Sequence, residues 1–176
     1  MYNQLLKKYA TSEELLEVLV RHSGQVAEMA VAIARRHPEL GADEEFVREA
    51  AMLHDIGIVR CNAPAIHCFG DEPYIRHGLI GSEILIAEGL PRHARVAERH
   101  TGTGITVEGI REQNLPLPLR DYSPETIEEQ IICYADKFFS KTKLGQTKTA
   151  EQALASLWKF GDESARRFNH WHEMFA

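Results

Sequence analysis

Apolar residues recur at intervals of three and four along most of the chain, and no segment alternates with the period of two that marks a half-buried strand. The pattern predicts an all-α fold. Leu15, Leu19, His22, Val26, Met29 and Ile33 share one face of a long helix reaching about Arg36, with Thr11 and Glu14 as its capping box and His37-Pro38 and Gly41 as its end. Asp43 can cap a second helix, Glu44 to about Asp55, stopped by Gly57. A third covers roughly Ile75 to Ala87, and Gly89-Leu90-Pro91 separates it from a fourth, Arg92 to about His100. Between the second and third, Ile58 to Tyr74 holds two prolines and Gly70 and reads as a long loop, a length often tied to function.

Thr101-Gly102-Thr103-Gly104 breaks the fourth helix, Thr106 opens a short one, and Leu115-Pro116-Leu117-Pro118 is an extended connector. Ser123-Pro124 then launches a helix through Asp136 to about Lys141. The last helix runs from Thr149 to Phe160 or on to about residue 170. The Lys141 to Lys148 segment reads either as a solvated linker or as a loop facing a substrate. No repeat or linker divides residues 1–176, which the length prior makes one domain.

Five of these helices carry a nitrogen or oxygen ligand type at a core position. His22 lies on the stripe just described; Phe46, Ala50 and His54 step by four, as do Val47, Ala51 and Asp55. His77 continues through Ile80, Gly81 and Ile84, His100 follows His93, Val96 and Ala97, and Asp136 follows Ile132. A single histidine on an apolar stripe is usually a satisfied core residue. A buried carboxylate needs a cation, and neither Asp55 nor Asp136 has a basic residue on its own stripe. One metal centre built from His22, His54, Asp55, His77, His100 and Asp136 accounts for all six, and imidazole with carboxylate suits divalent ions. His67 and His93 remain ambiguous, while His37, His170 and His172 read as helix-end or surface residues.

The formal charge of −6 and the absence of a Lys/Arg run leave no electrostatic footprint for duplex nucleic acid or an anionic membrane. Cys61, Cys68 and Cys133, odd in number and without C-x-x-C spacing, fit reduced thiols in a cytoplasmic protein. No stretch is apolar and long enough for a membrane span, and no export signal follows Lys7-Lys8.

The order His22, His54-Asp55, Asp136, with the run His54-Asp55-Ile56-Gly57, resembles the HD-domain metal-dependent phosphohydrolase superfamily, over about Arg21 to Lys141. His77 in Arg76-His77-Gly78 and His100 in Arg99-His100-Thr101-Gly102 look like the extra ligands of its binuclear members. The chain is also similar to bacterial HD-type diadenosine tetraphosphate hydrolases and to a small uncharacterised HD-domain family. That resemblance implies a single helical HD bundle with a core of about 21–141 and a C-terminal helix of about 149–170. It implies one metal on His22, His54, Asp55 and Asp136 and a second on Asp55, His77 and His100, with Asp55 bridging. Iron or manganese is favoured, with magnesium, zinc, cobalt and nickel open. The chain lacks the glycine-tyrosine-proline signature of cyclic-di-GMP phosphodiesterases, and its Ile58 to Tyr74 loop looks longer than in compact relatives.

The implied activity is hydrolysis of a phosphoester or phosphoanhydride, in a small phosphorylated molecule of nucleotide type, by a metal-activated hydroxide. Asp55 and Lys137 are the expected catalytic residues, with Arg21, Arg76 and Lys137 on substrate phosphate and Lys141 one turn too far away. Two alternatives stand beside it: a di-iron oxygenase of the same fold, which uses the same ligand set, and a non-catalytic nucleotide sensor, a class that usually loses ligands where this chain keeps all six. The sequence leaves the oligomeric state open.

Overall fold

A computed structural model describes residues 1–176, and the fold is all-α as the periodicity predicts: nine α-helices and one very small hairpin. The order is α1 (Tyr2–Tyr9), α2 (Glu13–Arg36), α3 (Glu44–Leu53), β1 (Asn62–Ala63), β2 (Cys68–Phe69), α4 (His77–Ala87), α5 (Pro91–Glu98), α6 (Val107–Gln113), α7 (Ile127–Asp136), α8 (Ala150–Ala155) and α9 (Asp162–Phe175). Helix α2 is the spine. Its buried face, Leu15, Leu19, Val26 and Ile33, joins Val47 and Ala51 of α3, Ile132 and Ala135 of α7, and Phe168 and Phe175 of α9 in one core. A small satellite of Leu79, Ile105, Ile110 and Tyr122 lies beside α6.

Several element boundaries differ from the pattern-based expectation, each for a local reason. Ser12 rather than Thr11 caps α2, its side chain accepting from the Leu15 amide. Thr126 rather than Ser123 caps α7, in a capping box with Glu129; the Ser123-Pro124 stretch precedes the helix and has no regular secondary structure. Asp43 caps α3 by accepting from the Phe46 amide, and Thr106 caps α6 by accepting from the Gly109 amide. The expected C-terminal helix is two: α8 stops at Ala155, a 3-10 turn covers Trp158–Phe160, and α9 begins after Gly161, whose φ of 92° suits glycine. Helix α1, absent from the pattern reading, docks through Leu6 and through contacts of Lys8 and Tyr9 with Glu88.

The Ile58 to Tyr74 stretch is more ordered than a loop. It contains 3-10 turns at Ile56–Arg60 and Pro64–Ile66 and the antiparallel β1–β2 pair, in which Ala63 faces Cys68. Gly57, in the first of these turns, is more than a helix stop. A Cβ there would stand 1.9 Å from the His77 carbonyl oxygen and 2.4 Å from the Gly81 nitrogen, so only glycine lets α4 lie against this turn. On the other side of α4 a Cβ at Gly78 would stand 2.7 Å from the Ala97 carbonyl oxygen of α5. Gly57 and Gly78 therefore set the separation between the turn after Asp55, the start of α4 and the end of α5.

Candidate metal centre

Those three segments, with α2 and α7, bring all six sequence-selected ligand types together. His22 Nε2 lies 3.0 Å from Asp136 Oδ1 and 3.1 Å from Asp55 Oδ2. His54 Nε2 lies 3.1 Å from Asp55 Oδ2 and 3.3 Å from Asp136 Oδ1. On the other Asp55 oxygen, Oδ1, His100 Nε2 stands at 3.2 Å and His77 Nε2 at 3.6 Å. The side chains thus form two groups able to hold metal ions, His22/His54/Asp55/Asp136 and Asp55/His77/His100, with Asp55 common to both.

The histidine orientations are set by one repeated local device. Nδ1 of His54 donates to the Ala51 carbonyl at 2.5 Å, that of His77 to the Tyr74 carbonyl at 2.5 Å, and that of His100 to the Ala97 carbonyl at 2.6 Å. In each case the acceptor is three residues earlier on the same stretch of chain. With Nδ1 committed, Nε2 turns its lone pair toward the centre, the arrangement a metal-ligating imidazole requires. His77 and His100 consequently aim Nε2 atoms at each other across 3.0 Å. Two lone pairs at that distance repel unless a cation lies between them, so the donor set fits a metal ion.

The carboxylates point the same way. Both oxygens of Asp55 are fully buried, and although the imidazoles crowd them, neither makes a well-aligned hydrogen bond. Burial disfavours its charge, yet His54 and then Lys141 hold its carboxyl well below the usual range. Asp136 ends α7, where the helix dipole disfavours a negative charge. Burial adds to that cost, but Lys137 and the two histidines keep its carboxyl well below the ordinary value. The two groups differ in character. At His54 burial opposes protonation, but Asp55 and Asp136 outweigh it and push the imidazole up to about 10, so a metal ion would displace that proton to reach the Nε2 lone pair. His77 is pushed down to about 3, by burial first and then by His100.

The centre floors a cleft of about 400 Å³ lined by Tyr74, His77, His100 and Asp136 among others. Lys137 lines it, but its ammonium is held by Asp136 Oδ2 at 2.6 Å and by the His100 carbonyl at 2.9 Å. Lys141, expected one turn too far away, instead reaches Asp55 Oδ2 at 2.7 Å. The reason is that α7 stops at Asp136. The next amides, of Lys137, Phe138 and Phe139, bond three residues back, and this tighter turn swings Lys141 toward the site. Arg21 and Arg76 do not line the cleft: Arg21 pairs with Glu17 on the surface, and Arg76 engages Glu72 and the Pro116 carbonyl. Of the ambiguous histidines, His93 is buried against Phe46 and Glu49, and His67 is exposed.

A family model described as the HD domain matches residues 19–140, which include all six ligand-type residues. The chain belongs to the HD domain family. Curated relatives share part of their sequence with this chain. The chain is 39% identical over 137 residues to an uncharacterised protein of Methanocaldococcus jannaschii, a match covering 77% of this HD chain and 72% of that protein. It is 37% identical to proteins named tRNA (cytidine(56)-2'-O)-methyltransferase from Thermoplasma volcanium and Picrophilus torridus, covering 89% and 76% of the chain. The match spans only 44% and 35% of those two proteins, less than half their length. Among solved structures, the HD domain of the Listeria monocytogenes phosphodiesterase PgpH has the same fold, with a TM-score of 0.56, 18% identity, and 96% of this chain and 93% of that one covered. No helix of this HD domain is long and apolar enough to cross a membrane.

Proposed function

We propose that this HD domain is a binuclear metal-dependent phosphohydrolase acting on a small phosphorylated substrate of nucleotide type. The observation that carries the reading is the sharing of Asp55 between two ligand groups at the floor of an open cleft, with Lys137 and Lys141 beside it. Divalent ions held there supply Lewis acidity and acidify water, the two requirements of phosphoryl transfer to water. Asp55 holds the groups together, and His22, His54 and Asp136 complete one site while His77 and His100 complete the other. Lys137 and Lys141 lower the potential barrier to an approaching phosphate and stabilise charge that builds on it during transfer. Arg21 and Arg76 are each engaged outside the cleft and are given no role in the transfer.

The solved PgpH relative supports a nucleotide substrate to the extent that its HD domain was also obtained with cyclic-di-AMP. The methyltransferase name of the longer relatives describes proteins of which this chain matches less than half, so no residue here is assigned to methyl transfer. The test is hydrolysis, read by chromatography of the nucleotide products together with released phosphate, of nucleoside mono-, di- and triphosphates, dinucleoside polyphosphates and cyclic dinucleotides with manganese, iron, cobalt, nickel or magnesium, with Asp55→Ala as the blank. Hydrolysis by the wild type alone supports the proposal. Stoichiometric dioxygen consumption in place of phosphate release would establish the oxygenase alternative, and metal-free nucleotide binding without turnover the sensor.

A further inference from the structure

Four of the chain's seven lysines, Lys137, Lys141, Lys148 and Lys159, line the cleft above the metal-ligand groups, in a protein whose net charge is −6. No arginine lines it, and its one lining carboxylate is Asp136. Lys137 and Lys141 are matched by Asp136 and Asp55. Lys148 and Lys159 are paired with no carboxylate, and both follow residue 140, where the family match ends. Positive charge gathered without a partner in a concave site of an acidic protein is suited to an anion that brings its own charge.

Both free lysines are held over the cleft by main-chain features. The Lys148 amide donates to the Phe138 carbonyl at 2.8 Å, which pins the end of the 141–148 segment beside the turn after α7. Lys159 belongs to the 3-10 turn Trp158–Phe160, and the Phe160 ring lies on Gly102, two residues from His100. Gly102 has φ 59°, and a Cβ there would stand 3.2 Å from that ring, so the glycine admits the close approach. The crowding also shows electrostatically. The Lys148 ammonium is pushed below its ordinary value by burial first, with Lys137, Lys159 and Lys141 adding to the effect against Asp136. The lining supplied by the hairpin segment, Ala63, Ala65 and Ile66, carries no charge.

We infer that the cleft takes a phosphoanhydride chain rather than a lone phosphate, with Lys148 and Lys159 forming a subsite for phosphates beyond the one presented to the metal-ligand groups. The inference rests on the phosphohydrolase reading and names its substrate class: a nucleoside polyphosphate or an inorganic polyphosphate. The confinement of the lysines to one cleft favours a compact polyanion over a nucleic-acid strand, which needs an extended basic track.

Isothermal titration of the purified full chain with orthophosphate, pyrophosphate and tripolyphosphate tests it, metal content being measured before and after. Affinity is expected to rise at least about tenfold from orthophosphate to tripolyphosphate. Lys148→Gln and Lys159→Gln should each weaken tripolyphosphate about tenfold, the scale of one charge-assisted hydrogen bond, while orthophosphate binding and metal content stay as in the wild type. ATP in place of tripolyphosphate separates the two sources: tighter binding by ATP assigns the nucleoside a role, and equal binding assigns the chain alone. Lys159 is exposed, so Lys159→Gln preserves the fold and keeps the test decisive if the half-buried Lys148 variant does not fold. Equal affinity for the three anions, unchanged tripolyphosphate binding in both variants, or equally tight lysine-dependent binding of an oligoribonucleotide without terminal phosphates would overturn the inference. Lysine-dependent tripolyphosphate binding with no phosphate release under any metal would instead overturn the hydrolase reading and leave the subsite standing.

Discussion

Replacing His77 by alanine should remove one metal ion and leave the other. The group Asp55/His77/His100 has three ligand residues, one of them the carboxylate it shares; the group His22/His54/Asp55/Asp136 has four, two of them carboxylates. The first group is therefore the weaker site, and His77→Ala reduces it to two ligands. Loss of a residue that merely orients a metal ligand costs roughly 10–100-fold in affinity, so loss of the ligand itself should cost at least about a hundredfold. The fold should survive, although the ring stacks on Tyr74 with centroids 4.5 Å apart and bonds the Tyr74 carbonyl. Because the vacated space opens into the cleft and fills with water, the stability cost should be about 1–3 kcal/mol, below that of a dry aromatic cavity. Metal per chain after gel filtration, by plasma mass spectrometry, is expected near two in the wild type, one in His77→Ala and His100→Ala, and no more than one in Asp55→Ala, which keeps His22, His54 and Asp136. A wild-type ratio of one, or a ratio of two retained in His77→Ala with unchanged affinity, would refute the two-site assignment.

Gly57→Ala should lower the melting temperature severely and abolish metal binding, since the new methyl overlaps the backbone of α4; a melting curve within a few degrees of the wild type would show that the turn can yield. Lys137→Ala should reduce kcat/KM by on the order of a hundredfold with metal content unchanged, and Lys141→Ala by at least tenfold, as expected for loss of a transition-state cation. Lys143, exposed and outside the cleft lining, serves as the control, and an equal effect there would make all three ordinary solvated charges. Burial pushes the thiols of Cys61 and Cys133 up to about 12 and that of Cys68 up to about 11. At pH about 8 all three should stay neutral and resist Ellman's reagent until the chain is unfolded, and rapid reaction of the native protein would contradict the buried placement.

The ligand positions were legible because each breaks an apolar stripe: His22 among Leu19 and Val26, Asp136 four residues after Ile132. Spacing along a single helix is enough to detect a polar side chain aimed inward. Helix ends were less legible where neighbouring residues compete for one role, as Thr11 with Ser12 and Ser123 with Thr126, since alternative caps differ by little energy. The position of Lys141 could not be read from spacing, because a helix continued past Asp136 and a 3-10 turn at the same residues send it in different directions. The need for glycine at Gly57 was equally hidden: its φ is ordinary, and the constraint is the presence of another segment's backbone.

That last contact decides which parts of the chain are free to change length. The His54-Asp55 end of α3 and the His77 start of α4 are separated by more than twenty residues of hairpin and turns, yet their spacing is fixed where Gly57 touches the backbone of His77 and Gly81. The connecting segment does not act as the ruler between the two ligand groups. Residues can be inserted or removed near His67, at the exposed turn between β1 and β2, and the distance from Asp55 to His77 stays the same. The cleft wall made by Ala63, Ala65 and Ile66 would change shape with each such insertion. In this architecture, selectivity for the part of a substrate lying against that wall can drift through loop length while the geometry of the metal-ligand groups is conserved by main-chain contact.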